Sequence, residues 1–470
     1  MKFENIKCVY FLGIGGIGMS ALARYFHHHG IRVMGYDKTR SELTDELNRE
    51  QIQVHYEDLG EEISSLHLNK EETLVVITPA VPSDHKELHW FMENGFNLMK
   101  RSQVLGFISD EYQTIGVAGT HGKTTTSTLL AHIFQSSGIG CTAFLGGIST
   151  NYNTNLLLDH LKKENSKGWM VAEADEFDRS FLTLHPRISI ITSTDADHLD
   201  IYGNHEAMQE SFLAYAQQTS HTLFLKKETQ LWEKMKHEKI KTNASVLSYS
   251  VKEEADVWAD EIRLRGGEYR FDFHAGGTRI SELLLGIPGL HNVENAVAAS
   301  AAALEAGISE SALREALVSF QGVKRRFEYI IKRKDMVYID DYAHHPEELR
   351  AIISSVKEMY HDKKITVIFQ PHLFSRTRDF VDGFAQSLSL ADDILLLDIY
   401  PARELPIPGI TSEVIFKKIT AAHKMLCSLK DILDVVERKC PEVLLTLGAG
   451  DIDRLVAPLK KMLSVIKHTT

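Results

Sequence analysis

The stretch that decides the fold is Thr114-Ile-Gly-Val-Ala-Gly119-Thr-His-Gly122-Lys123-Thr124-Thr125-Thr126. Thr114–Ala118 is small and apolar and predicts a buried strand. Gly119–Lys123 predicts a tight loop, and Thr124–Ser136 a helix. Amides at the start of such a helix can cradle phosphates. Lys123 can neutralise β/γ oxygens, and the Thr124 hydroxyl can bind Mg²⁺. The loop is not a strict Walker A sequence, which needs glycine where this chain has Val117.

The same strand–loop–helix grammar recurs on both sides. Upstream, Lys7–Leu12 reads as a strand, followed by Gly13-Ile-Gly15-Gly16-Ile-Gly18 and a helix over Met19–His29 stopped by Gly30. Glycines there allow a tight turn and close approach of a pyrophosphate to the helix N-terminus. Asp37 ends the next strand, where a carboxylate can accept hydrogen bonds from a ribose. A glycine turn in any α/β domain reads alike, and the motif does not choose among NAD, FAD and a UDP-sugar. Downstream, Ile365–Phe369, Ile394–Ile399 and Val443–Leu447 are short apolar strands with helical stretches between them. Strands alternating with helices predict parallel sheets covered on both faces, with ligands beyond their carboxyl ends.

The chain has 470 residues, 52 Lys+Arg against 64 Asp+Glu, and a net charge of −12. At roughly 150 residues per domain this predicts about three domains. We place them at 1–110, 111–322 and 323–470. The class is α/β: a Rossmann-like N-terminal domain, a central P-loop ATPase-type parallel sheet and a C-terminal Rossmann-like domain. Tyr269, Phe271 and Phe273 alternate with polar residues between glycine pairs, which predicts a small antiparallel sheet attached to the central domain. The acidic balance argues against nucleic-acid binding. No apolar run approaches the ~20 residues of a membrane span. The N-terminal segment does not read as a signal peptide. Four scattered cysteines predict reduced thiols in a cytoplasmic protein.

Two acidic turns follow apolar strands. Glu173-Ala-Asp175-Glu176-Phe-Asp178 offers four carboxylates for a hard cation. Asp195-Ala-Asp197-His198-Leu-Asp200 closes the next strand. Each alone reads equally as a solvated loop. With the glycine loop they would share one sheet edge, and that conjunction favours a metal–nucleotide site. His291-Asn292-Val-Glu-Asn295 offers amides for an adenine edge, or a helix cap. Lys324-Arg325-Arg326 is a basic cluster near a domain junction. In Asp340-Asp341-Tyr342-Ala-His344-His345-Pro346 the two histidines are adjacent and diverge, so they do not read as a metal pair. Arg376 and Arg378 could hold a carboxylate by paired hydrogen bonds. His27-His28-His29 and Lys226–Lys241 read as a helix end and a solvated face.

In this order the motifs resemble the Mur ligase family, which builds the peptide of bacterial cell-wall precursors. GTHGKTTT (119–126), EADEFDRSFL (173–182), DADHLDIYG (195–203), GLHNVENAVAA (289–299), VKRRFE (323–328), DDYAHHP (340–346), FQPHLFSRTRD (369–379) and YPARELPIPGI (400–410) carry it over essentially the whole chain. The resemblance is to members that use ATP and Mg²⁺ to join L-alanine to the carboxylate of UDP-N-acetylmuramate. It implies ATP contacts at Gly119, Thr120, His121, Gly122, Lys123, Thr124, Thr125, His291, Asn292, Asn295 and Arg326. Thr124 and Glu173 would hold one Mg²⁺ and His198 a second. Gly15, Gly16, Gly18, Asp37 and Arg101 would meet the sugar nucleotide, and Tyr342, His344 and Arg376 the amino acid. Lys123, His198, Arg326, Asp341 and His344 would carry catalysis, with Arg326 and Asp341 brought to ATP by closure of the third domain. A monomer or homodimer is expected.

Three positions depart from the family pattern. Leu373 stands where an arginine is usual. Ser193-Thr194-Asp195 replaces Asn-Ile-Glu. Ile201–Phe224 contains no lysine, so the carbamylated lysine of several relatives has no counterpart there, and Glu206 or Glu210 are its candidate substitutes. A ligase attaching a whole tripeptide to the same sugar nucleotide would share nearly all these motifs. A nicotinamide-dependent oxidoreductase would use only the first glycine loop, and a nucleotide-dependent binding module would lack turnover.

Overall fold

The structure, a computed structural model, describes residues 5–160, 167–195, 199–265, 268–402 and 404–465. Three sheets follow one another along the chain. The first contains β1 (Cys8–Leu12), β2 (Arg32–Tyr36), β3 (Gln53–His55), β4 (Thr73–Ile77) and β5 (Asn97–Lys100), in the order β3-β2-β1-β4-β5 and all parallel. Alternate residues of β1 serve opposite faces. Val9 and Phe11 pack with Met19, Leu22 and Phe26 of helix Ile17–His28, while Tyr10 and Leu12 pack with Phe91 and Phe96. That two-sided burial is why β1 reads as an unbroken apolar run.

The central sheet contains β6 (Gln113–Ala118), β7 (Thr142–Ser149), β8 (Thr154–Leu157), β9 (Trp169–Glu173), β10 (Ile188–Ile191), β11 (Thr222–Lys226), β12 (Ser245–Ser250), β13 (Val257–Arg265), β14 (Glu268–Ala275) and β15 (Thr278–Leu285). Their order is β15-β14-β13-β12-β11-β10-β6-β9-β7-β8. The aromatic-rich segment therefore extends the edge of the central sheet, joined through parallel pairing of β12 with β13. Tyr269, Phe271 and Phe273 are buried as their alternation predicts, but Asp272 is buried too. It is tolerated because the Arg279 guanidinium and the Glu282 amide bond its carboxylate. In Lys226–Lys241 the solvated reading fails in part. Leu231 and Met235 are buried, and Lys226 is paired with Glu294 at 2.8 Å.

The third sheet contains β16 (Glu328–Lys332), β17 (Val337–Asp341), β18 (Ile365–Phe369), β19 (Asp393–Leu396), β20 (His423–Leu426) and β21 (Val443–Leu447), in the order β16-β17-β21-β18-β19-β20. Only β16 runs antiparallel. The chain forms two compact units. One holds the first sheet and nearly all of the central sheet. The other holds the third sheet with residues 263–270 and 286–292. Among the described residues no helix is long and apolar enough to cross a membrane. All four cysteines are free.

Candidate active site

Strand β6 ends at Ala118 and the chain turns through Gly119, with φ of +133°, and Gly122, with φ of +83°. Both glycines are required. A Cβ on Gly119 would lie 2.1 Å from Thr192 Oγ1, and one on Gly122 2.7 Å from Asn295 Oδ1. Helix Lys123–Ser136 starts directly after, with Thr124 and Thr125 buried in its first turn. The segment after β10 braces this loop. Ser193 Oγ shares a 2.8 Å hydrogen bond with Thr120 Oγ1 and accepts from the His121 amide at 2.8 Å. The Thr192 hydroxyl donates to the carbonyls of Ala118 and His121. The departure Ser193-Thr194-Asp195 thus supplies a hydroxyl that holds the loop from the side.

Register puts the acidic turn beside it. Val117 of β6 pairs with Glu173 of β9 on one side and Ile190 of β10 on the other. The carboxyl ends of three neighbouring strands therefore coincide, as the sequence predicts. Lys123 Nζ donates to Glu176 Oε1 at 2.9 Å and to the Gly119 carbonyl at 2.5 Å, and it stands 2.8 Å from Glu176 Oε2 as an ion pair. Burial alone would lower the Lys123 pKa. The carboxylates of Glu176, Glu173 and Asp175 outweigh it and hold the ammonium above its ordinary range. Glu176, singled out by sequence only as one acid of four, is the direct partner of Lys123.

The four carboxylates do not form one cation cage. Asp175 is bonded to Arg101 at 3.1 Å and Asp178 to Lys100 at 2.7 Å. Glu173 lies flat against β7, where a Cβ on Gly146 would meet its Oε2 at 2.1 Å. Among the described residues no group of three His, Cys, Asp or Glu side chains is arranged to hold a metal. The donors present, the Thr124 hydroxyl and the Glu173 carboxylate, are hard oxygens at a phosphate-type loop. That fits Mg²⁺, which is bound by one or two protein oxygens plus phosphate oxygens and water. His198 lies outside the described residues. Glu206 and Glu210 are exposed. From helix His205–Gln218, His205 and Gln209 reach the segment after β10, both bonded to the Thr194 carbonyl, at 3.0 and 2.6 Å. Sequence reading missed them, although their i, i+4 spacing places both on one helix face.

At the first glycine loop, Asp37 is used inside the protein. Its Oδ2 accepts from the Gly15 amide at 2.8 Å and its Oδ1 from the Thr39 amide at 2.9 Å. Gly18 is held open for Arg101, whose Nη1 would lie 2.7 Å from an added Cβ. Gly16 is the residue before helix Ile17–His28 and has extended backbone. Arg101 therefore touches this loop and, through Asp175, the acidic turn beside Lys123.

The third sheet carries its own cluster. Asp341 ends β17 and pairs in register with Leu447, as does Phe369 of β18, so these ends also coincide. The Asp341 carboxylate accepts from the amides of Phe327 at 2.6 Å and Ala343 at 2.8 Å. Burial lifts its pKa to about 6, against the pull of Arg326 and those amides. Arg325 and Arg326 both lie about the Tyr342 ring, at 5.3 and 5.2 Å from its centroid. Arg325 itself is structural, bonded to Asp340 at 3.0 Å and the Gly448 carbonyl at 2.7 Å. His344 Nδ1 bonds the Tyr342 carbonyl at 3.0 Å, and its ring lies 5.9 Å from that of His372. Burial, with a contribution from Arg376, takes the His344 pKa down to about 4. His345 diverges, as expected, and packs on Phe380. Leu373 has φ of +70°, and Glu404 caps the helix after it by bonding the Ser375 amide at 2.9 Å. His291 is exposed, and the buried Asn292 donates to the Pro288 carbonyl at 2.5 Å. Gly448-Ala-Gly450-Asp451 after β21 was not singled out from sequence. A Cβ on Gly450 would lie 2.4 Å from Gln370 Oε1, so this loop is as tight as the other two.

Comparison with known proteins gives one family throughout. Residues 8–113 match the Mur ligase family catalytic domain, 117–303 the Mur ligase middle domain, and 325–450 the Mur ligase glutamate ligase domain. The chain is 48% identical to a UDP-N-acetylmuramate–L-alanine ligase of Cytophaga hutchinsonii, over 98% of this chain and 97% of that one. It is 49% identical to one from Phocaeicola vulgatus, over 99% and 100%. A crystal structure of the UDP-N-acetylmuramate–alanine ligase of Thermotoga maritima superimposes with a TM-score of 0.81 at 28% identity, over 98% and 99% of the two chains. A murein peptide ligase from Psychrobacter arcticus is similar at a TM-score of 0.71 and 25% identity, over 98% and 100%. With a part-buried lysine on a glycine loop, an acidic turn at the neighbouring strand end and these relatives over 98–99% of its length, the chain belongs to the Mur ligase family.

Proposed function

We propose that this chain is an ATP-dependent ligase that joins L-alanine to the carboxylate of UDP-N-acetylmuramate in peptidoglycan precursor synthesis. The observation that carries the reading is Lys123. It is an ammonium fixed at the start of a phosphate-type helix and ringed by Glu173, Asp175 and Glu176, in a chain whose relatives at 46–49% identity bear that ligase's name. We take the three sheets as three working domains: 1–110 for the sugar nucleotide, 111–322 for ATP and 323–470 for the amino acid. Drawing on ATP and a UDP-sugar, the enzyme works in the cytoplasm.

A carboxylate is a poor acyl donor because its leaving group would be oxide. Attack of the sugar carboxylate on the γ-phosphorus, with ADP departing, makes an acyl phosphate whose leaving group is phosphate. Lys123 releases Glu176 and follows the charge of the transferring phosphoryl group. Thr124 and Glu173 would hold a divalent cation, which would supply charge neutralisation to the triphosphate. Asn295, buried against Gly122, shapes the ATP loop from the side. Arg376 pairs with the alanine carboxylate. The neutral amine of alanine attacks the acyl carbon, and phosphate leaves. His344 takes the proton from that amine. Tying Nδ1 to a carbonyl in a neutral ring leaves the Nε2 lone pair available.

Phosphate release from ATP with UDP-N-acetylmuramate and each acceptor in turn tests the reading. Release with free L-alanine, and little with L-Ala-γ-D-Glu-meso-diaminopimelate, is expected. The reverse preference would make this a peptide ligase, as one structural relative, a murein peptide ligase, is named. No release with any acceptor would overturn ligation altogether.

A further inference from the structure

Asn155 is fully buried in β8, the edge strand of the central sheet, and no step of the proposed chemistry uses it. Its neighbours in the ladder are unusual. Phe144 pairs with Leu156 and Ser149 with Thr154, so Asn155 alone faces residues 145–148 of β7. Such a bulge bends the strand and re-aims side chains. On the β7 side it brings Gly146 against the Glu173 carboxylate. On the β8 side it sends Asn155 into the first turn of helix Ile17–His28. There Asn155 Nδ2 donates to the Ile17 carbonyl at 2.6 Å and to Ser20 Oγ at 2.9 Å, and Oδ1 accepts from Arg24 Nη1 at 2.6 Å. Arg24 is itself fixed by Glu50, at 2.7 and 2.8 Å, and by Glu46 at 3.0 Å. Ile17 lies inside the first glycine loop, between Gly16 and Gly18. One bulge therefore touches the ATP-side carboxylate through Gly146 and the sugar-nucleotide loop through Asn155.

We infer that Asn155 is a positioning residue that sets the sugar-nucleotide loop relative to the ATP loop, so that the sugar carboxylate meets the γ-phosphate in line. The inference rests on the proposed ligase reading. Attack geometry is sensitive to displacements of about 1 Å, which cost rate far more than affinity. Asn155 holds the helix by hydrogen bonds to a backbone carbonyl and a short hydroxyl. Both partners belong to the start of that helix, so the tie is short. Arg24 closes the same tie to the neighbouring helix Glu42–Arg49 and Glu50.

The test compares wild type with Asn155→Ala by ADP formation at saturating substrates and by binding of each nucleotide singly. The expected result is a kcat at least tenfold lower, with the Kd of UDP-N-acetylmuramate and of a nonhydrolysable ATP analogue each within about threefold of wild type. A kcat per folded enzyme equal to wild type overturns the inference. So does a loss lying wholly in KM for the sugar nucleotide, which would make Asn155 part of its binding surface. Arg24→Lys gives a second reading should Asn155→Ala fail to fold. It keeps a cation for Glu46 and Glu50 but not the fork that reaches Asn155. A kcat a few-fold lower with unchanged single-ligand affinities is expected, and an unchanged kcat counts against the role. An inactive wild type would instead sink the ligase reading, so the two failures are distinct.

Discussion

Lys123 shows how one part-buried cation organises its surroundings. An unpaired ammonium at that depth would lose its proton, but three nearby carboxylates keep it charged. In the structure Glu176 gives the lysine its anion, a place that a phosphate takes in the proposed reaction. Replacing Lys123 by alanine leaves Glu176 buried without its partner and removes the clamp on the phosphoryl group. A loss of about 3–4 kcal/mol of transition-state stabilisation, roughly 10²–10³-fold in kcat, is expected in a phosphate-release assay. Near-normal release would contradict the role. His344 and Asp341 make a second case, with opposite signs. The folded His344 pKa, about 4, lies below its ordinary 6.5, so the unfolded chain binds a proton between those values that the folded one refuses. Its side chain is 19% exposed. Stability from this group is therefore lost as pH falls from 6.5 toward 4, by about 2 kcal/mol at pH 5. Asp341, raised to about 6 from 3.8, binds its proton more readily when folded, and it stabilises as pH falls through 6. Urea midpoints at pH 7 and pH 5 should fall less in His344→Gln than in wild type and more in Asp341→Asn. Equal falls in all three would refute both assignments.

At the scale of elements, glycines matter where strands end. Gly119, Gly122 and Gly448 have positive φ, and each sits at the carboxyl end of a parallel strand with a neighbour too close for a Cβ. Gly122→Ala combines left-handed backbone strain with overlap on Asn295. A destabilisation of about 1–3 kcal/mol is expected by urea unfolding, together with weaker ATP-analogue binding. If affinity and stability both stayed at wild-type values, the tight loop would not be what shapes the site. The first of these loops was legible because strand, glycine run and helix are contiguous in sequence. The Gly448–Asp451 loop has the same contiguity but lacks a lysine, so composition gave it no chemical signature. His205 and Gln209 were hidden differently. Their role depends on which face of a helix meets the Thr192–Asp195 segment, and that is a packing outcome.

At the scale of the molecule, no covalent staple is needed. All four cysteines are free, three of them buried, and burial pushes the thiols of Cys8, Cys141 and Cys427 up, away from reactivity. A Tm that is the same with and without dithiothreitol is expected. A fall of several degrees on reduction would reveal a disulfide. Stability rests instead on apolar layers on both faces of each sheet, clustered around β1, β17 and their neighbours. The sequence by itself determined those layers, the glycine loops at strand ends, the acidic turn beside Lys123 and the family. Each is written in residues a few positions apart, where periodicity and backbone sterics act directly. Only the tertiary structure decided which acid of the turn takes Lys123, that Arg101 spans from Gly18 to Asp175, and that Asn155 reaches Ile17. Those contacts join residues 53, 74 and 138 positions apart. They depend on strand order, register and one bulge, which no local pattern encodes.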